Sequence, residues 1–482
     1  MRLADIPTEI FCEILSLLTP DTILKCSSVS RTWHETIVAS PALQYAIQLW
    51  KNGLIPGTDD SCSSTSKLRA LDQRRRAWEN LAWTSQTVVK IAPLDSCRVF
   101  ELRSGMLAIQ YQGPNFSTLS LQDLDADAPV HIHDLGIDLE QFEDFTIDPA
   151  QDLLVIFLHS APGQASLLIK SLTDHQPHPL ARCPTITFSA EHRPLLSSIQ
   201  IADDVIGACI FTQNRFSPCF WNWRSGKQLA KCKGHTAESD FRLISSRAFI
   251  EAVPEGNGWI DLCVLDADDG EDEVKMHRIA TLRLPDLSTG HSLSFASMYS
   301  GACHPRPMPN RRFSSADARR IYLLHLHYSD DEFEARLFVH HRTFYGYISQ
   351  YERDRLRQHA DVPWEAWGPE QTRLLRRDEH GWLGDVHGER VVLPAGDSMQ
   401  LYDFSPAIVG LPKSSESVAE EGNSLHTAPT ILNEPFENPV TTCLPYRSTV
   451  RRVDGNLDVL LLDQDHIVGT DTVENKLTVF AF

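Results

Sequence analysis

The first forty residues carry apolar side chains at helical spacing, and there are more of them than one short helix can bury. Steps of three and four residues predict an amphipathic helix that tolerates Pro7 in its first turn. Phe11 and Leu15 lie on other faces of this helix, so its apolar surface is wider than one partner helix covers. The regularly spaced positions are Ile6, Ile10, Ile14 and Leu17 or Leu18.

Two more short helices follow at capping signals. Thr19 and Pro20 combine a cap with a proline at the first helical position, and Ser30 caps a third helix. Three helices of this size bury too little surface to be stable alone. The surplus apolar residues therefore predict a surface that either binds a partner or packs against the rest of the chain. The apolar residues of the second and third helices are Ile23, Leu24, Cys26, Val29, Trp33 and Ile37.

Residues 41–87 predict a helical linker. Ser40 and Pro41 start a fourth helix that Asn52 and Gly53 end, and a polar connection leads to a fifth helix. We expect these capped helices to form a stiff mount, and the run of three arginines at 74–76 to lie on a solvated helix face. The apolar positions are Leu43, Ala46, Ile47 and Trp50 in the fourth helix, and Leu68, Leu71, Trp78 and Leu81 in the fifth.

Beyond about residue 88 the pattern is that of β-strands. Four segments share a short strand, a polar turn and a second apolar strand: VFELRSGMLAIQ, FTIDPAQDLLVIF, IQIADDVIGACIF and FRLISSRAFIEAV. If Leu107, Leu154, Ile206 and Phe249 are equivalent, the steps are 47, 52 and 43 residues, which is typical of propeller blades. The segments IYLLHLHY, LYDFSPAIVG and LLLDQDHIVGTD extend the series. One further segment, FWNWRSGKQLAKCKGH, resembles a degenerate WD-type repeat.

The predicted fold class is therefore multidomain, α plus all-β, with a three-helix unit, a helical linker and a six- or seven-bladed β-propeller. We expect LTVFAF, at residues 477–482, to close the ring by pairing with TVVKIAPL near residue 88. A pair of β-sandwiches is the competing architecture, and it would need two independent cores. Residues 411–439 lack a sustained apolar period and predict a mobile insertion between strands.

Charge and composition argue against several classes of protein. The 482 residues carry a formal net charge of -20, which disfavours a nucleic-acid surface. No stretch reaches the ~18 apolar residues that cross a bilayer, and no signal peptide is recognisable. The 11 scattered cysteines contain no Cys-x-x-Cys pair and are typical of free thiols. We therefore expect no membrane or nucleic-acid partner and a cytoplasmic or nuclear location.

Candidate chemical sites are few. His131 with His133, and His325 with His327, alternate along strands, so each pair could offer two imidazoles to one metal ion. No third ligand follows at a fixed spacing. The acidic run 266–273 has a glycine at the fifth position, where a calcium loop needs a side-chain oxygen. No phosphate-binding or nucleophile motif is recognisable either, and no residue is singled out as catalytic, so we expect no metal and no cofactor.

The first forty residues resemble the F-box motif. A leucine, a Leu-Pro-x-Glu-Ile segment and a Val-x-Arg-x-Trp segment recur in that motif at the spacing found here. Ile6 replaces the usual leucine, and Ser30 stands where Cys or Ser is common. Residues 41–87 resemble, more loosely, the helical segment that follows the box in many fungal F-box proteins. The residues that carry the resemblance are Leu3, Ile6-Pro7-Thr8-Glu9-Ile10, Ile14, Leu18, Leu24, Val29, Ser30-Arg31 and Trp33.

The resemblance implies an adaptor without catalytic residues of its own. F-box proteins bind a Skp-family adaptor, which ties them to a cullin scaffold and makes them substrate receptors of SCF ubiquitin ligases. The implied organisation is an F-box at 1–40, a linker at 41–87 and a propeller at 88–482 that recruits a protein substrate. Trp33 is expected in the core of the box. The side chains expected to face the adaptor are Leu3, Ile6, Pro7, Ile10, Ile14, Leu18, Leu24 and Val29.

Two other interpretations remain open from the sequence. The chain could be an interaction scaffold that binds the adaptor without delivering substrates for degradation. It could also be a propeller enzyme with an appended docking module, which turnover of a small molecule by residues 88–482 would support. The sequence identifies no substrate and no substrate-binding residue. Four aromatic residues are candidates for an exposed surface: Tyr111, Trp259, Tyr299 and Trp364.

Overall fold

The structure is a computed structural model. It describes residues 6–59, 61–91, 97–111, 115–122, 124, 130–137, 140–161, 163–189, 195–212, 215–235, 239–267, 274–303, 311–329, 333–354, 359–377, 384–405, 422–455 and 457–482. Within these ranges, no helix has the length and apolar character needed to span a lipid bilayer.

Five helices form the N-terminal part, and the second, third and fourth begin at the predicted caps. The Ser30 hydroxyl accepts the backbone N–H of Trp33 at 3.3 Å, and Ser40 accepts the equivalent N–H of the fourth helix at 3.5 Å. Thr19 stands at the N-cap of the second helix. The fourth helix ends before Gly53, whose φ of 66° favours glycine. The helices are α1 (Thr8–Ser16), α2 (Pro20–Ser27), α3 (Arg31–Ala39), α4 (Pro41–Lys51) and α5 (Ser64–Glu79).

Seven sheets of mainly antiparallel strands follow and form a β-propeller, so the alternative of two β-sandwiches is wrong. Blade 1 contains β3 (Cys97–Arg103), β4 (Met106–Tyr111), β5 (Asn115–Ser120) and β6 (His133–Asp134). Blade 2 contains β7 (Phe142–Asp148), β8 (Leu153–Ala161), β9 (Gln164–Ser171) and β10 (Thr185–Ser189). Blade 3 contains β11 (Leu195–Ala202), β12 (Val205–Thr212), β13 (Arg215–Asn222) and β14 (Gln228–Lys231). Blade 4 contains β15 (Asp240–Ser245), β16 (Ala248–Val253), β17 (Trp259–Ala267) and β18 (Val274–Arg283).

Blades 5 to 7 carry longer connections or strands from distant parts of the chain. Blade 5 contains β19 (Leu293–Ser300), β21 (Ile321–Tyr328), β22 (Glu334–His340) and β24 (Thr372–Arg376). Blade 6 contains β25 (Asp385–His387), β26 (Arg390–Ala395), β27 (Ser398–Asp403) and β31 (Tyr446–Arg452), with β28 (Asn423–His426) at its outer edge. Blade 7 contains β32 (Val459–Leu462), β33 (His466–Asp471), β34 (Lys476–Ala481) and β2 (Ser85–Lys90).

The repeat step read from the sequence marks one structural position. Leu107, Leu154, Ile206 and Phe249 are each the second residue of the second strand in blades 1 to 4, and all four are fully buried. The sixth blade corrects the prediction, because LYDFSPAIVG contributes the third strand, β27, and not the strand that follows the first turn. Residues 406–410 of that segment lie outside the described residues.

The ring closes between the two ends of the propeller, as predicted. β2 pairs antiparallel with β34, from Ser85 opposite Ala481 to Lys90 opposite Lys476. β34 also pairs with β33, so the last strand of the chain lies between two partners. The strand nearest the helical linker is therefore the outermost strand of blade 7.

The helical linker is fixed to blades 5, 6 and 7. β1 (Leu54–Pro56) pairs with β20 (Phe313–Ser315), which lies in the connection between the first two strands of blade 5. The indole of Trp78 is fully buried and stacks on Phe482, with 3.9 Å between ring centroids. The Glu79 carbonyl accepts hydrogen bonds from two side chains of the blade 6 region, at 3.1 and 3.0 Å. These contacts hold the helical linker against the propeller, as expected for a stiff linker and not for a flexible one.

The prediction of a solvated arginine run is wrong for Arg74. Its guanidinium is buried, donates from Nε to Asp465 Oδ1 at 3.0 Å and also contacts the Gln464 carbonyl. Burial lowers the pKa of Arg74 to about 10, and the charge of Asp465 opposes that effect. Arg76 is exposed, as expected. The helical spacing of the residues in α5 does not indicate that Arg74, at one edge of the arginine run, contacts the propeller.

Two connections contain further secondary structure. α6 (His341–Arg353), β23 (Ala360–Val362) and α7 (Trp364–Gln371) follow one another between β22 and β24, and β23 pairs in parallel with β18. Within the predicted insertion at 411–439, residues 422–439 contain β28 and β29 (Thr430–Leu432), which pairs with β30 (Val440–Thr442). Residues 406–421 lie outside the described residues. The described part of the insertion therefore contains two short strands, and its mobility stays a prediction.

Candidate functional site

α1 presents two apolar stripes to different surroundings. Phe11 and Leu15 are buried against the neighbouring helices. Ile10, Ile14 and Leu17 lie one turn apart on the outer stripe, and Leu17 is 86% exposed. The helix therefore carries more apolar surface than its neighbours cover, which is what its residue pattern predicted.

A small core holds the N-terminal helices together. The indole of Trp33, predicted to lie in the core, is half-buried and packs edge-on against Phe11 with ring centroids 4.8 Å apart. Two members of the core come from α4, so the fourth helix completes what the first three begin. The buried members are Phe11, Leu15, Ile23, Ile37, Leu43 and Ile47.

Large apolar side chains stay exposed on α1, directly after it, between α2 and α3, and on α3. We call these side chains together the docking face. Of the fifteen exposed large apolar side chains among the described residues, six belong to it, although residues 10–38 are a small part of the chain. Such a concentration is typical of an interaction site. The docking face consists of Ile10, Ile14, Leu17, Leu18, Val29 and Val38.

The structure places the residues predicted to face an adaptor in three groups. Ile6 and Leu24 are half-buried and pack against the core, and Leu3 lies outside the described residues. Leu17 and Val38 belong to the docking face but were not predicted. A contact between these residues and a partner stays a prediction. The exposed residues of the predicted set are Pro7, Ile10, Ile14, Leu18 and Val29.

Polar side chains border the docking face. Glu9 and Glu13 are exposed on α1, and Lys25 Nζ lies 2.6 Å from Asp21 Oδ2 on α2. This ion pair is solvent-exposed, so it adds little stability of its own. An apolar centre with a charged margin is the usual composition of a protein interface.

The central channel of the propeller contains a polar cavity of about 160 Å³. Arg103 on its wall pairs with Glu101 at 2.5 Å, and Arg242 pairs with Asp240 at 2.9 Å. Each of these carboxylates also accepts a backbone N–H from the first strand of the next blade, at 2.9 Å. The charged groups of the channel wall therefore join neighbouring blades to one another.

The histidine pairs lie in separate environments. His131 and His133 are exposed, whereas His325 is buried, and this burial lowers its pKa to about 3. His327 Nδ1 lies 3.2 Å from Glu334 Oε1. In the part of the chain that the structure describes, no three His, Cys, Asp or Glu side chains are grouped as metal ligands would be. Residues 268–273 of the acidic run lie outside it.

The candidate exposed aromatic residues are mostly covered. Tyr111 and Trp364 are buried in the core and are not surface residues. Trp259 and Tyr299 are half-buried. Aromatic side chains are more often used to fill a strand-rich core than to face solvent, and sequence alone does not separate the two uses.

Comparison with known proteins gives one family match, and it lies at the N-terminus. Residues 3–44 match the family model described as F-box-like. No curated protein matches the chain.

Several solved structures are distantly similar to this chain. The designed protein Ika8 is 9% identical, with 83% of this chain and 100% of that chain covered and a TM-score of 0.38. BamB from Moraxella catarrhalis is 10% identical, with 82% and 100% covered and a TM-score of 0.34. Hsv2 from Kluyvelomyces marxianus is 7% identical, with 64% and 92% covered and a TM-score of 0.29.

The N-terminal helices thus form an F-box-like domain, and a seven-bladed propeller follows it. This combination is typical of non-catalytic adaptors that recognise substrates. The domain boundaries at residues 40 and 87, and the resemblance of the linker to fungal F-box proteins, stay predictions.

Proposed function

We propose that this chain is the substrate-recognition subunit of an SCF-type ubiquitin ligase. Its F-box-like domain would dock on a Skp-family adaptor, and through it on a cullin scaffold, while the propeller recruits a protein substrate. We place this activity in the cytoplasm or nucleus. The observation that carries the proposal is the docking face, an exposed apolar surface on a domain that matches the F-box-like family.

Burial of the docking face would supply the association energy. A large aliphatic side chain contributes about 1.5–3 kcal/mol when it passes from full exposure to full burial. Six partly exposed side chains offer several times that amount, which can outweigh the entropy lost when two proteins associate. An Skp-family adaptor that covers this surface would also complete the small core of α1 to α4 from outside.

The helical linker would hold the propeller in a defined position relative to the adaptor. Buried contacts such as the Trp78–Phe482 stack and the Arg74–Asp465 pair oppose rotation of the helical linker on the propeller. A substrate held on the propeller would therefore be held near the ubiquitin-charged enzyme. Raising the effective concentration of an acceptor lysine in this way needs no catalytic group in the receptor.

The proposal is tested by protein half-lives in cells of the source organism. Cells that lack the chain are compared with cells that express the native chain, the double variant Ile14→Asp/Leu17→Asp or the control Val473→Asp. Val473 is an exposed apolar residue on blade 7, outside the docking face. We expect the same proteins to be long-lived in cells without the chain and with the double variant, and short-lived with the control.

Two outcomes would contradict the proposal. If no protein changes its half-life in cells that lack the chain, the chain is an interaction scaffold that delivers nothing for degradation. If loss of the chain prolongs half-lives and the double variant shortens them again as the native chain does, the docking face does not connect the propeller to the ligase.

A further inference from the structure

Blades 2 and 3 enclose an apolar cavity of about 240 Å³ that opens at the outer wall of the propeller. Its apolar lining is formed by the buried Ile210, Cys219 and Trp221 and the half-buried Phe188, and its polar lining by Ser189, Ser217, Gln228 and Lys231. The rings of Phe188 and Trp221 have centroids 4.9 Å apart. We call this feature the blade 2–3 groove. Its size suits one aliphatic or aromatic side chain.

A free strand edge borders the groove. β10 pairs with β9 on one side only, and no described strand pairs with its other side. The Ile169 N–H donates to the Pro184 carbonyl at 2.8 Å, which fixes the alternation of hydrogen bonds along this antiparallel pair. The backbone groups of Thr185, Thr187 and Ser189 therefore point away from β9. An extended peptide can add to such an edge as a further strand.

The chain around the groove is basic, although the whole chain has a net charge of -20. Residues 175–189 and 215–235 contain no Asp and no Glu. Lys231 is exposed and lines the groove itself. Two of the arginines nearby bind neutral oxygens, those of the Gly234 carbonyl and the Gln151 amide. The cationic residues of the two stretches are Arg182, Arg215, Arg224, Lys227, Lys231 and Lys233.

The groove lies away from the helical linker. The described contacts of the linker fall on blades 5, 6 and 7, whereas the groove lies between blades 2 and 3 on the far side of the ring. A ligand in the groove would therefore leave the mount and the docking face uncovered.

We propose that the blade 2–3 groove binds an acidic, extended peptide segment of a partner protein. The peptide adds a strand to the free edge of β10, inserts one apolar side chain into the groove against Phe188 and Trp221, and places a carboxylate beside Lys231. The proposed function is needed only to identify this partner as the substrate of the ligase. Peptide binding itself requires no adaptor.

The test starts from a displayed library of random twelve-residue peptides, selected on the purified full chain. Synthetic copies of the enriched peptides are then titrated against the native chain and three variants. Lys231→Glu reverses the charge at the groove. Thr187→Pro removes an outward N–H without breaking the β9 ladder, because proline is tolerated on an edge strand. Lys90→Glu is the matched control, since Lys90 is an exposed lysine on the edge strand of blade 7.

We expect the enriched peptides to combine an apolar residue with flanking Asp or Glu. Their Kd should rise at least tenfold with Lys231→Glu and with Thr187→Pro, and stay unchanged with Lys90→Glu. The inference is overturned if no peptide family is enriched, if the enriched peptides are basic, or if all variants bind equally. It is also overturned if single-stranded oligouridylate binds at Lys231 and no peptide does.

Adaptor binding, measured on the same preparation, separates the two proposals. If the chain binds peptides in the groove but binds no Skp-family adaptor, the proposed function is refuted and the proposal of a peptide-binding groove is not. A chain that binds the adaptor but enriches no peptide would refute the groove alone.

Discussion

Removal of residues 477–482 should destabilise the whole propeller, because these residues form most of the strand that closes it. β34 lies between β33 and β2, and both of its hydrogen-bonded ladders would be lost. The first strand of the propeller would then have no partner in blade 7. The deletion changes no residue of the F-box-like domain.

The expected loss follows from three buried side chains. Leu477, Val479 and Phe480 are at most 3% exposed, and full burial of each contributes about 1.5–3 kcal/mol. Their removal costs about 5–9 kcal/mol before any hydrogen bond is counted. Since domains of ordinary stability unfold at a cost of about 5–15 kcal/mol, the truncated propeller should be largely unfolded or close to it.

The assay is urea-induced unfolding of the purified full-length chain and its variants, followed by circular dichroism and tryptophan fluorescence. Phe480→Ala keeps the strand and should lower the unfolding free energy by about 3–5 kcal/mol, so closure can be tested even if the deletion does not fold. Val88→Ala changes an exposed residue of β2 and should stay within about 0.5 kcal/mol of the native chain. An unfolding midpoint that is the same for the deletion and the native chain would refute the closure.

Two further predictions concern buried charges. Arg74→Ala removes the guanidinium that binds Asp465 and should cost about 2 kcal/mol of unfolding free energy in urea, whereas Arg76→Ala, on the exposed side of α5, should stay within about 0.5 kcal/mol; equal effects would contradict the burial of Arg74. Burial raises the pKa of Glu251 from 4.5 to about 7, so the folded chain holds this proton where the unfolded chain has lost it. The stability that this group contributes is complete below about pH 4.5 and is lost as the pH rises through about 7. The unfolding free energy of Glu251→Gln should therefore rise, relative to that of the native chain, by up to about 3 kcal/mol between pH 5 and pH 8. A difference between the two proteins that does not change with pH would contradict this prediction.

Local signals in the sequence predicted the elements that depend on local chemistry. The serine caps at Ser30 and Ser40 and the proline at the start of α2 fix helix boundaries through contacts within four residues. The second-strand position shared by Leu107 and Phe249 repeats because every blade needs a buried apolar residue there. These features were predicted from residue pattern alone.

Features that depend on tertiary contacts were not predicted. The period of α1 indicates its apolar residues but not that Phe11 faces inward and Leu17 outward, because α4 decides which stripe is covered. Arg74 is buried where the propeller brings Asp465 against it, and Asp465 lies 391 residues further along the chain. The pattern of LYDFSPAIVG predicts an early strand of a blade, whereas the structure uses it in β27, a third strand, because alternation along a strand is the same in both positions.

Direct binding between the purified full-length chain and a purified Skp-family adaptor tests the central claim. We expect stoichiometric binding in titration calorimetry by the native chain and by the control Val473→Asp. Ile14→Asp places a charge on the docking face and should raise the Kd at least tenfold while the melting temperature stays unchanged, because Ile14 is not part of the core. Absence of binding by the native chain, or equal binding by Ile14→Asp, would contradict the account.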